Sequence, residues 1–453
     1  MLSVEENELI TRIGPGTVMG DLLRQYWIPA VKSDEFSDPD SPPVRIRLLG
    51  ENLIAFRATS GRVGLVENAC PHRGASLFFG RNEEEGLRCV YHGWKFDVSG
   101  NCVDMPSEPP ESNFKTKVRV KAYPCIERGG VVWTYMGPRE IPPPLPDLEP
   151  NMVPDDGSLR VQVSMVEWNW VQAIENRMDT AHVAFLHYGS ISPELASDPD
   201  WARKNGDPER IIQHIVGERA PTFTVRDTDF GCSYAAFRPA DPGTDYYRTA
   251  HFLFPFITMG PGTTKLGTGC RLVCVVPIDD EHTMEWSLSN VRGPAPSGGS
   301  TRASGGGGLP LLPNSGDWLG RYRAALTGAT DYDIDREVQR TEHSERGFTG
   351  LASVPVQDRA ISWSQGQRFD RSLEHLGTTD SMVIRIRRRL LAAARALRDD
   401  GAVPPGVDEP EVYRQRSGWV ILPAGVDYWE ETRDLREEFA RAPAEAPAQT
   451  IGP

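Results

Sequence analysis

The sequence predicts an α+β chain, with an all-β unit near the N-terminus and a larger region that mixes strands with helices. Three observations predict it. Short apolar and β-branched runs crowd residues 44–137, and similar runs later in the chain are followed by helix-like stretches. Gly (43) and Pro (38) exceed average usage, as a turn-rich β chain requires. At 453 residues there is room for two or three domains.

In chain order, GTVMGDLLRQY (16–26) reads as a short helix that Trp27 and Pro29 close. Strands follow in VRIRLLG, LIAFRAT, RVGLVENA and GGVVWTYMG, separated by Gly and Asn turns. PREIPPPLPDLEPNMVPDD (138–156) suits a stiff extended connection. VQVSMVEWNWVQAIENRMDTAHVAFLH then reads as a strand running into a helix. TFTVRDT, CSYAAFRP, YYRTAHFLFPFITMG, CRLVCVVPI and HTMEWSLS are further β-like runs, and SMVIRIRRRLLAAARALRDD and YWEETRDLREEFARA read as late helices. PAPSGGSTRASGGGGLP (294–310) and the tail APAEAPAQTIGP are low in complexity and expected to be mobile or unstructured. These shifts divide the chain into an N-terminal helical segment (1–43), a β unit (44–140), a second unit (141–440) and a flexible tail (441–453).

A net charge of −14 argues against a nucleic-acid binder, which needs a basic footprint. No apolar run approaches the ~18 residues of a membrane span. The acidic N-terminus lacks a signal-peptide layout, and seven irregularly spaced cysteines favour metal ligation over a disulfide framework. A cytoplasmic protein is expected. No phosphate-binding or dinucleotide-binding glycine motif occurs, so any nicotinamide or flavin would have to be bound through other features or by a separate protein.

Two constellations carry chemistry. Cys70-Pro71-His72 is followed, after sixteen intervening residues, by Cys89-Val90-Tyr91-His92. Each offers a thiolate and an imidazole on a tight loop, and two Cys with two His can hold the two irons of a [2Fe–2S] cluster, one ligand type per iron. Neutral imidazole in place of thiolate raises the reduction potential. Gly74 and Gly93 allow a close backbone turn, while Tyr91 and Trp94 can shield the cluster. A structural zinc site is the alternative, but its two His usually sit together on a helix.

The second constellation is Glu175-x₃-Asp179-x₂-His182-x₄-His187. If 171–183 are helical, Glu175, Asp179 and His182 share a face, and a short distortion or loop could aim His187 back toward them. Two imidazoles and a carboxylate form the facial triad of non-haem Fe(II) oxygenases, with positions open to dioxygen and substrate. Four of the nine histidines fall in these two motifs.

The paired motifs make the chain similar to the Rieske non-haem iron aromatic oxygenases, from its GPGT-x-MG-x-LLRQYW opening through the late helices. Respiratory Rieske proteins resemble one another in an extra, disulfide-paired Cys after each ligand loop. Here Arg73-Gly74-Ala75 and Gly93-Trp94 stand instead. The resemblance implies an all-β Rieske domain and a helix-grip catalytic domain with an antiparallel sheet and a long helix. Its cofactors would be a [2Fe–2S] cluster on Cys70, His72, Cys89 and His92, and a mononuclear Fe(II) on His182, His187 and a downstream carboxylate. Asp358, in Val354-Pro355-Val356-Gln357-Asp358, matches best, with Asp370 and Asp380 as competitors. Asp179 would hydrogen-bond His182 on one side and the partner subunit's His92 on the other, with Glu175 behind it. Within one chain the two centres would lie too far apart for electron transfer, so the resemblance also implies a ring, a homotrimer or a multiple of it.

The implied reaction is reductive activation of O2. A separate NADH-dependent reductase, with flavin or ferredoxin centres, would supply electrons for hydroxylating an aromatic small molecule. The likeness is to the phthalate-dioxygenase-like branch, which points to an aromatic acid, with O-demethylation of a methoxylated aromatic acid as the second reading. Arg210 and Arg248 are candidates for the substrate carboxylate, and each also reads as a surface ion-pair residue. The basic helix IRIRRRLLAAARALR reads as a solvated face, a subunit contact or a landing site for an acidic reductase. Two rival classes are a Rieske electron carrier, which needs no open metal site, and a zinc-organised binding protein.

Overall fold

The apolar runs from Trp27 to Tyr135 form small antiparallel sheets in the computed structural model, which describes residues 1–36, 38–152, 159–204, 207, 209–260, 264–290, 309–344 and 347–437. Nearly all of the low-complexity stretch 294–310, the end of the Pro-rich connection and the C-terminal tail lie outside these residues. Two short helices open the chain, α1 (Val4–Thr11) and α2 (Val18–Leu23), the first closed by a Ser3/Glu6 capping box. The strands of the first unit are β1 (Trp27–Lys32), β2 (Val44–Leu48), β3 (Glu51–Arg57), β4 (Val63–Glu67), β5 (Arg81–Glu83) and β6 (Gly86–Arg88). After them come β7 (Lys95–Phe96), β8 (Cys102–Asp104), β9 (Ala122–Tyr123), β10 (Cys125–Arg128) and β11 (Val131–Tyr135). They pair as β1–β11–β10, β2–β3–β4–β9 and β5–β6–β7–β8.

The opening segment, expected to be helical, therefore also supplies a strand. Pro29 cannot continue a helix, and the apolar Trp27–Val31 run is buried where it pairs with β11. The two- and three-residue strands β5 to β8 are too short to leave a period in the sequence.

In the second unit, β12 (Arg160–Val166) leads into α3 (Trp170–Met178), whose N-terminus Asn169 caps. Further on come α4 (Ile211–Gly217), β13 (Thr222–Thr228), β14 (Gly231–Pro239), β15 (Thr244–Leu253), β16 (Ile257–Met259), β17 (Arg271–Pro277) and β18 (Thr283–Ser289). The last elements used below are α5 (Val354–Ser364), α6 (Ser381–Asp400) and β19 (Gly418–Pro423). The eight-stranded sheet runs β12–β18–β17–β16–β15–β14–β13, with β19 on β15, and every pair is antiparallel. The apolar run 246–260 breaks into β15 and β16 at Phe254-Pro255-Phe256. The chain is α+β with a long helix on an antiparallel sheet, as expected.

That helix is α6. Met382, Ile386, Leu390 and Ala394, each four residues from the last, form its buried face across β13 and β14. Several of its arginines are engaged within the chain: Arg385 and Arg389 meet Asp227, and Arg395 meets Glu6. Arg387 is buried, its Nε 2.6 Å from Glu175 and its other nitrogens on Glu374. Arg371 completes the cluster at 2.8 Å from Glu175, and it also donates to Asn7 of α1. One carboxylate thus ties α3 to α6 and α1.

The two units are clamped together. Residues 310–325 form a small hairpin whose backbone pairs Leu312 with Arg323 and Ala325 with Pro310. From it, Trp318 comes within 5.3 Å of the Arg45 guanidinium of β2, which also lies 3.8 Å over Phe78 of its own unit, and Arg321 pairs with Glu35. Gly50 donates to Ile278 at 2.8 Å, and Arg47 meets Asp279.

Replacing Glu175 by Leu leaves Arg371 buried without its acid, and should cost roughly 3–5 kcal/mol in denaturant unfolding. Burial would raise the Glu175 pKa, but Arg371 and Arg387 outweigh it and hold the carboxyl below its usual range. A lowered folded pKa makes this contribution complete above about pH 4.3, the unfolded value, and lost as pH falls through the folded one. Acid unfolding followed by tryptophan fluorescence should therefore lack that component in Glu175→Gln.

Candidate metal centres and active site

The four cluster-type ligands lie on two loops, one between β4 and β5 and one between β6 and β7. Both close on the same five-residue frame. Cys70 N–H donates to Ala75 O and Gly74 N–H to Cys70 O, each at 2.8 Å; Cys89 N–H donates to Trp94 O at 2.8 Å and Gly93 N–H to Cys89 O at 2.9 Å. The fifth residue needs left-handed backbone, with φ of 74° at Gly74 and 80° at Gly93, and a Cβ on Gly93 would meet Pro106 Cγ at 2.6 Å. The frame tolerates a one-residue difference in where the imidazole is attached, His72 at the third position and His92 at the fourth.

The two thiols are buried and the two imidazole rings stand 4.3 Å apart, edge to face. Trp94 stacks on His72 at 4.3 Å, and Tyr91 lies 3.8 Å from the His92 ring. Burial, with Cys89 alongside, pushes the Cys70 thiol up to about 11, and His72 Nδ1 is buried without a hydrogen-bond partner. Two crowded thiols and two converging imidazoles fit a [2Fe–2S] pair with one ligand type per iron.

The second site forms where α3 ends. Asp179 closes the helix, its N–H donating to Glu175 O at 2.9 Å. Its carboxylate accepts from Ala181 N–H at 2.6 Å and lies 3.2 Å from His182 Nδ1. His182 and His187 are five residues apart, which on an ordinary α-helix would turn them about 140° away from each other. Val183–His187 instead forms a wider π-type turn that returns His187 to the same side. Asp358 approaches from α5, with Oδ1 3.5 Å from His182 Nε2 and 3.4 Å from His187 Nε2. The three ligand atoms lie within 4.8 Å of one another, and that Oδ1 is buried with no hydrogen-bond donor. Two imidazoles facing an unsatisfied carboxylate oxygen fit a divalent cation held on one side. Asp370 is instead exposed and bonded to Ser372, and Asp380 accepts from Gly377 N–H at the head of α6.

The imidazoles have different backing. Burial lowers His182, but Asp179 and Asp358 outweigh it and hold it up at about 9. His187 Nδ1 meets the amide oxygen of Gln357 at 2.7 Å, and burial holds His187 down. Gln357 is fully buried and was not foreseen, because an amide beside a ligand carries no motif of its own. Glu175 meets Asp179 through its backbone carbonyl rather than its side chain, whose carboxylate is taken by Arg371 and Arg387. Arg210 is exposed at the head of α4, whereas Arg248, on β15, is buried.

The Rieske [2Fe-2S] domain family matches residues 26–124, and the family described as LigXa C-terminal domain like matches residues 134–446. The chain is 42% identical over 446 residues to the 3-chlorobenzoate-3,4-dioxygenase oxygenase subunit of Comamonas testosteroni, covering 97% of this chain and 99% of that one. It belongs to the Rieske non-haem iron oxygenases. The phthalate 4,5-dioxygenase oxygenase subunit of Pseudomonas putida is 35% identical over 87% of each chain. The 5,5'-dehydrodivanillate O-demethylase oxygenase subunit of a Sphingobium species is 32% identical, over 91% of this chain and 84% of that one. Among solved structures, Pseudomonas putida NdmA with caffeine aligns with a TM-score of 0.52 at 18% identity, over 91% of this chain and 100% of that one, a likeness of fold. The protein is thus an oxygenase subunit, which implies a reductase system as its electron source, and neither a simple electron carrier nor a zinc-organised binder. No helix among the described residues is long and apolar enough to cross a membrane.

Gln357→Leu should weaken ferrous-ion binding by about 10- to 100-fold, since it strands the far ring nitrogen of His187. Titrating metal-stripped protein with Fe(II) measures this, and the cluster's visible spectrum should not change.

Proposed function

We propose that this oxygenase subunit hydroxylates an aromatic acid by phthalate-like dioxygenation, using electrons from a separate NADH-dependent reductase. The observation that carries the reading is Arg248. It lies on β15, close enough to His187 for its charge to act on that ring, and its Nε and Nη1 are buried without a partner. A buried cation calls for an anion, and a guanidinium matches a carboxylate bidentately. The exposed Arg210 lacks this argument. The full-length likeness to an O-demethylase subunit supports a second reading, O-demethylation of a methoxylated aromatic acid.

In this reading Cys70, His72, Cys89 and His92 hold the cluster, and His182, His187 and Asp358 hold the iron. When bound, the two centres supply electron storage and O2 activation. The chain's own groups do the rest. Asp179 holds the Nδ1 proton of His182 and so directs Nε2 toward Asp358. Arg248 fixes the carboxylate and with it the ring edge presented to the iron. The cluster unit spans 44–140, joined by strand β1 from the opening segment, and the catalytic unit spans 141–440, with a tail after.

Asp179 also serves as the bridge between subunits of a homotrimeric ring. Its side chain keeps 30% exposure, open to a donor from outside the chain. Beside His92, Val90 and Tyr91 are 64% and 55% exposed, an apolar tip suited to docking on another copy.

Incubation with a compatible reductase, O2 and a panel of aromatic acids and aryl ethers, read by mass spectrometry, should give dihydroxylated acids. Turnover of neutral arenes but not acids would refute the reading. Arg248→Gln should raise KM for the acid by about 30-fold or more. Asp179→Asn should retain both metals yet slow reoxidation of the reduced cluster by about 10- to 100-fold in single turnover. An unchanged rate would remove Asp179 from the bridge.

A further inference from the structure

A second buried cation lies on the same sheet face. β14 and β15 pair Tyr234 with Ala250, Ala236 with Arg248, and Arg238 with Tyr246. Directly opposed residues of an antiparallel pair point to the same side, so Tyr234, Arg238, Tyr246 and Arg248 share one face. The metal-bearing turn covers that face, since Ala184 packs with Tyr246, Ile211 and Trp419. The face therefore looks toward the His182/His187/Asp358 site.

Arg238 is fully buried, and its Nε donates to the Glu218 carbonyl at 2.7 Å. That bond anchors the side chain and leaves Nη1 and Nη2, the end-on fork, buried and unpartnered. The hydroxyls of Tyr234 and Tyr246 are likewise buried without partners. Among the described residues, no carboxylate lies within ion-pair distance of Arg238 or Arg248. Burial and the neighbouring Arg248 push Arg238 down to about 10, so it stays cationic at neutral pH. Two neighbouring cations repel, and one carboxylate satisfies only one fork in the bidentate manner.

We propose that Arg238 and Arg248 form two separate carboxylate seats on this face, so that the oxygenase selects aromatic dicarboxylates over monocarboxylates. Diagonal positions on paired strands stand about 7–8 Å apart, and the Glu218 carbonyl keeps Arg238 from swinging over to share the Arg248 seat. The two tyrosine hydroxyls supply further donors to the outer carboxylate oxygens. The assignment rests on the aromatic-acid reading and narrows it. The relatives' printed names include both kinds, a chlorobenzoate with one carboxylate and phthalate with two.

Calorimetric titration of the holoenzyme with phthalate, isophthalate, benzoate and 3-chlorobenzoate tests it. At least one dicarboxylate should bind about 100-fold or more tightly than either monocarboxylate. In Arg238→Gln that preference should collapse to within about threefold, and Arg238→Lys, which keeps the charge but loses the fork, should be intermediate. Monocarboxylates binding as tightly as dicarboxylates in the wild type would overturn the two-seat assignment and leave the aromatic-acid reading standing. So would an undiminished preference in a folded Arg238 variant. If no acid binds at all, both fall. The wild-type ratio decides the matter even if Arg238→Gln does not fold.

Discussion

A buried charge must be paired, and the pairing of Glu175 sets the geometry on which the second metal site depends. The carboxylate is enclosed by Arg371 and Arg387, the latter also held by Glu374. Removing any member would leave an uncompensated ion in a low-dielectric interior. The cluster therefore fixes the last turn of α3 against α6. Asp179 caps that turn, and the wide turn carrying His182 and His187 starts from it. Neither histidine touches Glu175, yet the direction in which both leave the helix is decided there.

The two centres solve the same problem in different ways. Around the cluster-type residues, rigidity comes from backbone, with two loops closed by matching hydrogen bonds and a left-handed residue in each that glycine adopts without strain. Around the other three ligands it comes from side chains on separate elements. The backing is unequal: a carboxylate behind His182 makes that imidazole the stronger electron donor, while the neutral amide behind His187 does not. The carboxylate-backed ring is the one next to the partly exposed Asp179, so the more polarised path to the site is also the one that reaches the surface.

Much of this was legible in the residues, for identifiable reasons. Cys70, His72, Cys89 and His92 are contiguous pairs, so the chemistry and its spacing sit in a single line of text. SMVIRIRRRLLAAARALRDD repeats its apolar residues at helical spacing over twenty residues, and α6 follows it residue for residue. Asp358 was harder, because a lone acid on a distant helix joins its histidines only through tertiary structure. Gln357 and Arg238 carried no local signal at all. One is an amide beside a ligand and the other an arginine in a strand, and only their burial sets them apart. The arginines of α6 divide: Arg388 and Arg398 are exposed and Arg385 and Arg395 half-exposed, as a solvated face would be, whereas Arg387 is buried against Glu175 and Glu374, acids that the helix sequence does not show.

The clamp between the units bears on how such proteins diverge. Arg45 lies between an aromatic of its own unit and Trp318 of the other, while Glu35 receives Arg321. Position 45 belongs to the electron-storing module and position 318 to the oxygen-activating one, so neither module can drift alone without loosening its grip on the other. A recombinant that borrowed its N-terminal half from a relative lacking the cation at 45 and the acid at 35 would present Trp318 and Arg321 with nothing to hold. The redox module is in that sense not a portable cartridge. In this chain it comes with the hairpin that grips it.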